Sequence, residues 1–321
     1  MLLHYKKIID KELKFFSQKL PPLPIYEPIK YIINLGGKRF RPSLTLLSTD
    51  LFCEKPLLSI NEAIAIELFH NFTLIHDDIM DHAPLRRNQQ SVHNKWNINN
   101  AILSGDLLYA LVNKLLSTSS SQSPEIHELF QQTAIEVCEG QSLDMEFENK
   151  NDISLTDYVK MIQLKTSVLV ACALKIGAII GGADSKDANL LYNYGLNLGT
   201  AFQIHDDILD VYPNEDYFGK QVGGDIIEKK KTILLVELLK NSSSEDKKII
   251  YQTLEDKVIN GNSKVYKIKE YYKKYNILKL AVQSKDEYYE KAIDCVNQIS
   301  ISEDKKNLIK EFSLALMQRK F

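Results

Sequence analysis

The heptapeptide Ile-His-Asp-Asp-Ile-Met-Asp runs from Ile75 to Asp81, and Ile-His-Asp-Asp-Ile-Leu-Asp runs from Ile204 to Asp210, identical at six of seven positions. On a helix Asp77 and Asp81 stand four apart on one face, as do Asp206 and Asp210. Like charges at that spacing repel by roughly 0.2–0.5 kcal/mol per pair on an exposed helix. Against a folding free energy of about 5–15 kcal/mol that cost is tolerable, so energetics alone admit two solvated faces. The flanks point the other way. Phe-Thr-Leu-Ile leads into the first copy and Gly-Thr-Ala-Phe-Gln-Ile into the second, which sets the carboxylates at the cleft-facing ends of core helices.

Clustered carboxylates without His or Cys at metal-ligand spacing are hard oxygen donors suited to Mg²⁺, which keeps several waters and bridges carboxylate to phosphate. Two such walls facing each other across a cavity would hold several ions and one polyphosphate. An EF-hand is disfavoured because its ligands alternate through a Gly-containing loop. His76 and His205 each adjoin an isoleucine, and a packed or supporting role is expected of both.

Elsewhere apolar residues recur at helical spacing, as around Ala63, Ile66 and Leu74 or Leu190, Tyr194 and Leu198, and strand-like alternation is scarce. Breaks are expected where Pro, Gly, Ser and Asn collect, at 20–24, 35–42, 82–88, 117–124, 181–185, 218–225 and 241–246. None is long enough for a linker. The expectation is an all-α chain of about ten or more helices forming one domain over residues 1–321.

With 40 basic against 42 acidic side chains and a net charge of -2, the chain lacks the electropositive footprint of nucleic-acid binding. Cys53, Cys138, Cys172 and Cys295 show no C-x-x-C spacing, which argues against a disulfide framework and a zinc cluster and for a cytoplasmic setting. The N-terminal stretch mixes Lys, Asp and Glu into its apolar residues and reads as an amphipathic helix rather than a signal peptide. The most membrane-like segment, Thr166 to Ala183, is interrupted by Lys175, short of the roughly 20 apolar residues a span requires. A buried helix is expected there, not a transmembrane one.

Cations follow in short bursts. Gly-Gly-Lys-Arg-Phe-Arg-Pro places Lys38, Arg39 and Arg41 beside two glycines whose backbone can approach an anion. Arg86 and Arg87 come just after the first acidic copy, Lys165 precedes Thr166, and Lys220 and Lys230 follow the second copy; Arg suits phosphate oxygens in particular. His70 lies two turns before Asp77 and Gln203 one turn before Asp206, each on the face of its motif.

Together these segments resemble the trans-isoprenyl diphosphate synthases, or polyprenyl synthetases, over nearly the whole chain. The likeness extends to Ser91-Val92-His93, Leu103 to Asp106, Gly140 to Asp144 and Leu164 to Thr166. It implies long helices around a central active-site cavity and a homodimer. It further implies that Asp77, Asp78 and Asp81 from the first wall, and Asp206, Asp207 and Asp210 from the second, hold three Mg²⁺ on an allylic diphosphate. By the same resemblance Lys38, Arg41, His70 and Arg87 would hold isopentenyl diphosphate. Arg86, Lys165, Lys220 and Lys230 would hold the allylic diphosphate, with Thr166 and Gln203 lining its path and Gln141 and Asp144 supporting the metals. The implied chemistry is ionisation of the allylic C–O bond, attack by the double bond of isopentenyl diphosphate, and loss of a proton. No nucleophilic Ser or Cys is needed.

Three departures stand out. The usual Arg-Arg-Gly reads Arg86-Arg87-Asn88, Thr-Val-His reads Ser91-Val92-His93, and Glu-Gly-Lys reads Glu228-Lys229-Lys230. None removes a metal ligand. For product length, the resemblance makes bulky residues upstream of Asp77 a floor: Phe72, five residues back and about 7.5 Å along the axis, with Thr73 and Phe69 as its neighbours. That favours a C15 product, with C20 next and longer polyprenyl chains after it. A terpene cyclase is disfavoured because the second motif lacks the mixed Asn, Ser/Thr and Glu pattern. A regulatory subunit would be expected to lose one acidic copy, and a His-Asp phosphohydrolase lacks its further His and Asp.

Overall fold

The computed structural model describes residues 2–119, 123–213 and 222–317. Among them sixteen α-helices follow in order: α1 (Leu2–Lys19), α2 (Glu27–Asn34), α3 (Phe40–Cys53), α4 (Ile60–Met80), α5 (Val92–Lys95), α6 (Ile98–Ser117), α7 (Pro124–Glu148), α8 (Leu155–Ile162), α9 (Val168–Gly181), α10 (Ser185–Val211), α11 (Gly224–Ile227), α12 (Ile233–Asn241), α13 (Ser244–Glu255), α14 (Gly261–Lys274), α15 (Ile277–Gln298) and α16 (Glu303–Met317). The all-α expectation holds, with one addition: a two-stranded antiparallel hairpin pairs β1 (Leu85–Arg86) with β2 (Gln89–Gln90).

The helices gather into two compact units, residues 1–131 with 172–191, and residues 132–171 with 192–321. The helical stretches 124–148, 155–181 and 185–211 contribute residues to both.

In the first unit α4 is the innermost element. Its run Ala63, Ile64, Ala65, Ile66, Leu68 and Phe69 is buried without a polar stripe, as a helix surrounded on all sides must be. Leu44, Leu46, Leu47 and Leu51 of α3, and Ala101, Leu108 and Val112 of α6, fill the same core. α1 adds Tyr5, Ile9 and Leu13 at four-residue spacing, and the Tyr5 hydroxyl donates to Asp50 Oδ2 at 2.5 Å. α9 packs against α3 at backbone distance. Ser48 Oγ donates to the Leu174 carbonyl at 2.6 Å and Thr49 Oγ1 to the Gly177 carbonyl at 3.0 Å; a Cβ on Gly177 would fall 2.3 Å from the Thr45 carbonyl oxygen.

The stretch Leu155–Gly181 has the length and apolarity of a membrane span. Its residues Val168 to Leu174, Ile176 and Ala178 are buried in the fold, so the apolarity is that of a core helix.

The second unit is built around Tyr158, Met161, Ile204, Ile208, Ile233, Leu234, Ile250, Ile268, Tyr272 and Ile277, all packed in one cluster. Its helices start on side-chain caps. Ser154 and Asp157 form a reciprocal capping box on α8, and Thr232, Ser243 and Asn260 cap α12, α13 and α14.

Because α3 and α9 meet with no room for a side chain, Gly177→Ala is expected to destabilise the protein by about 1–3 kcal/mol through overpacking. A thermal or urea melt of the variant against the wild type measures the effect.

Candidate active site

The first acidic copy is the C-terminal end of α4. Asp77 is half-buried and Asp81, just past the helix, is exposed, whereas Asp78 between them is fully buried. The Asp78 carboxylate is taken up by Arg86, whose Nε donates to Oδ1 at 3.0 Å and to Oδ2 at 3.3 Å and whose Nη2 also reaches Oδ1. Burial raises the Asp78 pKa, and the Arg86 guanidinium opposes that rise.

The second copy, on α10, repeats this division of labour with different partners. Asp206 and Asp210 are half-buried and Asp207 is buried. Asp207 Oδ2 accepts from the Tyr158 hydroxyl at 2.7 Å and the Ile233 N–H at 3.1 Å, and Oδ1 accepts from Gln203 Nε2 at 3.1 Å. Burial pushes its carboxyl up to about 6, against the pull of those three donors. Asp78 and Asp207, expected as metal ligands, thus engage protein partners through both oxygens, since a buried carboxylate must be satisfied from within.

Of the outer carboxylates Asp81 is exposed and Asp77, Asp206 and Asp210 are half-buried, with Asp206 Oδ1 itself buried and Asp210 Oδ2 accepting from the Asp225 N–H at 3.1 Å. They are oxygen-only donors, the chemistry Mg²⁺ takes. Among the described residues no three His, Cys, Asp or Glu side chains converge on one ion. Mg²⁺ is the ion that accepts so few protein ligands, since it keeps several waters and takes phosphate oxygens.

Three of the residues expected to hold isopentenyl diphosphate, Arg41, His70 and Arg87, lie in the first unit. Arg41 Nη1 lies 3.4 Å from His70 Nε2, and Arg41 Nε is buried with no hydrogen-bond partner among the described residues. Burial, reinforced by Arg41, Arg87, Arg86 and Arg39, holds His70 well below the usual imidazole range, so it is neutral. Arg87 Nη1 donates to the Gly36 carbonyl. A Cβ on Gly37, whose φ is +146°, would fall 2.9 Å from Arg87 Nη2, so the glycine both bends the loop and admits the guanidinium. Lys38 is exposed beside them.

The hairpin explains one departure from the family pattern. Leu85 pairs with Gln90 and Arg86 with Gln89, leaving Arg87 and Asn88 as a two-residue turn with φ of 53° and 61°. Such a turn needs positive φ at both positions, and Asn tolerates it better than other side chains. Asn88 can therefore stand where glycine is usual.

In the second unit Lys165 and Thr166 sit in a π-helical turn, Gln163–Ser167, between α8 and α9. A Cβ on Gly140 of α7 would lie 2.2 Å from the Lys165 backbone nitrogen. Lys165 Nζ donates to Asp144 Oδ2 at 2.5 Å, and Thr166 Oγ1 to Gln203 Oε1 at 3.4 Å. Gln141 is half-buried on α7. Lys230 lies 3.0 Å from Glu228 and 3.9 Å from Asp225, whereas Lys229 is drawn to Glu255 at 2.7 Å; Lys230 is the member of the lysine run beside the acidic wall. Lys220 lies outside the described residues.

Upstream of Asp77, Phe69 is fully buried against Phe130, with ring centroids 5.2 Å apart. It is core. Phe72, half-buried, is held between Tyr109 at 5.6 Å and His76 at 4.8 Å. Thr73 folds its hydroxyl back onto the His70 carbonyl at 2.9 Å. His76 packs there too, its Nε2 3.2 Å from the Ile102 carbonyl.

Comparison with known proteins identifies the family. The profile of the polyprenyl synthetase family matches residues 23–274. A geranylgeranyl diphosphate synthase of Sulfolobus acidocaldarius is 39% identical over 295 residues, 90% of this chain and 88% of the relative. A geranylfarnesyl diphosphate synthase of Natronomonas pharaonis is 37% identical over 273 residues, 75% of this chain and 80% of the relative. A crystal structure of a geranylgeranyl pyrophosphate synthase matches with a TM-score of 0.93 and 39% identity, covering 100% of this chain and 99% of that one. The chain belongs to the polyprenyl synthetase family. It is a prenyltransferase of the short-chain trans-prenyl diphosphate synthase kind.

Burial, followed by the charges of Asp207 and Asp210, pushes Asp225 up to about 7. Since this exceeds its unfolded value, the native state holds the extra proton between about pH 4 and 7, and metal-free stability falls as pH rises through that window. Asp225→Asn is expected to raise the melting temperature of metal-free protein more at pH 8 than at pH 5. Scanning fluorimetry at the two pH values measures it.

Proposed function

We propose that the chain condenses isopentenyl diphosphate with an allylic diphosphate, head to tail, and that its main product is C20. The observation that carries the reaction is the division of labour in the doubled motif: each copy buries and satisfies its middle aspartate while its outer pair stays at least partly open to solvent. A solvated acidic face would have no need of the buried partner. Asp77, Asp81, Asp206 and Asp210 would hold Mg²⁺ with the allylic diphosphate, as three ions by family resemblance. When bound, Mg²⁺ neutralises the diphosphate leaving group.

The chain's own groups do the rest. Arg41 and Arg87, with Lys38, grip the diphosphate of isopentenyl diphosphate, and neutral His70 donates a hydrogen bond to it. Lys165, Arg86, Lys220 and Lys230 take the allylic diphosphate. Arg86 and Lys165 can do so while keeping the carboxylates of Asp78 and Asp144 as anchors, because each has more donors than its acid uses. Thr166 and Gln203 then hold the path of the allylic chain.

A C15 product rested on Phe72 as a floor. The relatives named above are geranylgeranyl and geranylfarnesyl synthases, which moves the reading to C20. Phe72 remains the barrier in that reading, held by Tyr109 and His76, and small Thr73 beside it leaves depth that a second aromatic would remove. A homodimer and a single catalytic domain belong to the same reading. The family match spans residues of both units, and α6 exposes Ile98, Ile102 and Leu103.

Purified protein with Mg²⁺, labelled isopentenyl diphosphate and dimethylallyl, geranyl or farnesyl diphosphate is expected to yield a C20 alcohol after dephosphorylation. Products that stop at C15 would overturn the length, and no incorporation with any primer would overturn the reaction. Phe72→Ala is expected to lengthen the product by at least one isoprene unit, read by the same chromatography. Asp77→Ala and Asp206→Ala should each cut turnover by about a hundredfold or more with an unchanged melt; normal turnover at limiting Mg²⁺ would remove the metal assignment.

A further inference from the structure

Arg39 stands between Lys38 and Arg41, yet it is 4% exposed and turned into the protein. Each of its three nitrogens is occupied: Nε donates to Asp10 Oδ1 at 2.9 Å, Nη1 to Glu67 Oε1 at 2.6 Å, and Nη2 to the Ile33 carbonyl at 2.8 Å. A cation so committed is unavailable to a diphosphate. Its backbone, at φ 51° and ψ 38° just before α3, is what aims it inward while Arg41, on the first turn of α3, meets His70.

Glu67 is the unusual partner. It is 2% exposed in the apolar stretch of α4, one turn before His70, and no step of the proposed reaction uses it. Its charge reaches further than Arg39: burial lowers the pKa of both Arg41 and Arg87, and Glu67 offsets part of that in each. Arg41 meanwhile keeps its buried Nε without a hydrogen-bond partner among the described residues. A buried carboxylate released beside such cations would pair with them, because an unpaired buried charge is costly, and every donor it took would be lost to the ligand.

We propose that Arg39 is a positioning residue whose Nη1, bonded to Glu67 Oε1 while its other nitrogens are anchored on Asp10 and the Ile33 carbonyl, keeps that carboxylate off Arg41 and Arg87, so that both remain available to the diphosphate of isopentenyl diphosphate. This rests on the functional reading above. It requires that loss of Arg39 be harmful only while Glu67 carries its charge, a coupling that a double-mutant cycle isolates.

The test compares wild type, Arg39→Gln, Glu67→Gln and Arg39→Gln/Glu67→Gln in the elongation assay. KM is taken separately for isopentenyl diphosphate and for the allylic partner, and calorimetric binding of isopentenyl diphosphate is measured alongside. Arg39→Gln is expected to raise KM and Kd for isopentenyl diphosphate about tenfold and to leave the allylic KM within about twofold. Glu67→Gln should bind isopentenyl diphosphate as wild type does, and the double variant should recover to within about threefold of wild type. Should Arg39→Gln not fold, Arg39→Lys and Arg39→Lys/Glu67→Gln carry the same comparison with the charge kept and the fork lost.

A double variant no better than Arg39→Gln, or a loss that falls equally on both substrates, would overturn the inference and return the pair to a purely structural role. Wild-type protein that elongates nothing would remove the functional reading itself. Wild-type turnover with an unaltered Arg39→Gln would remove this inference alone.

Discussion

A carboxylate taken out of water needs partners inside the protein, and this chain meets that demand at each buried acid around its site. Asp78 is met by Arg86, Asp207 by Tyr158, Gln203 and the Ile233 N–H, and Glu67 by Arg39. Isolated buried charge is among the most costly features a fold can carry, and breaking one partner costs far more than the pair contributes. The consequence is geometric. Each satisfied acid fixes the ends of two elements: α4 to the hairpin, α10 to α8 and the start of α12, α3 to α4. The outer carboxylates and the cations inherit their positions from these buried pairs.

The same demand shapes the backbone. Arg39, Arg87 and Asn88 adopt positive φ, and Gly37 lies in the same region. These residues deliver side chains where a helix or an extended strand could not. Arg39 turns to Asp10 and Glu67 while Arg41, two residues on, turns to His70, so one short basic loop sends two cations to different partners. Such strain persists only where surrounding contacts over-determine it; at Arg39 those contacts are its ion pairs with Asp10 and Glu67, and at Arg87 the hydrogen bond to the Gly36 carbonyl.

Much of this was legible in the linear chain, because helical spacing, the doubled acidic copy and the cation bursts after it are local patterns. What escaped was pairing across distance. Tyr158 lies on the amphipathic face of α8 with Met161 and Ile162, and nothing in its neighbourhood links it to Asp207. Glu67 escaped in the same way, although a charge within Ile-Ala-Ile-Glu-Leu-Phe is the signal that could have found it. The middle aspartates read as ligands because spacing reports which face a residue occupies, not how deeply that face is buried. Product length is hard to read from the chain for a related reason: sequence spacing gives the height of Phe72 along an axis and not the shape of the space beside it.

The π-helical turn at Gln163–Ser167 carries a consequence of its own. It inserts one residue relative to an uninterrupted α-helix, so α8 and α9 are out of phase by about 100° across it. The tight approach of Gly140 to the Lys165 backbone occupies the bulge from outside. Loss of a single residue within the turn would let the segment relax to regular helix and rotate one flank against the other. Lys165 would then leave Asp144, and either Tyr158 or the small-residue face of α9 would lose its packing partner. The length of this turn, and not only the identity of Lys165 within it, therefore sets where the Lys165 side chain stands.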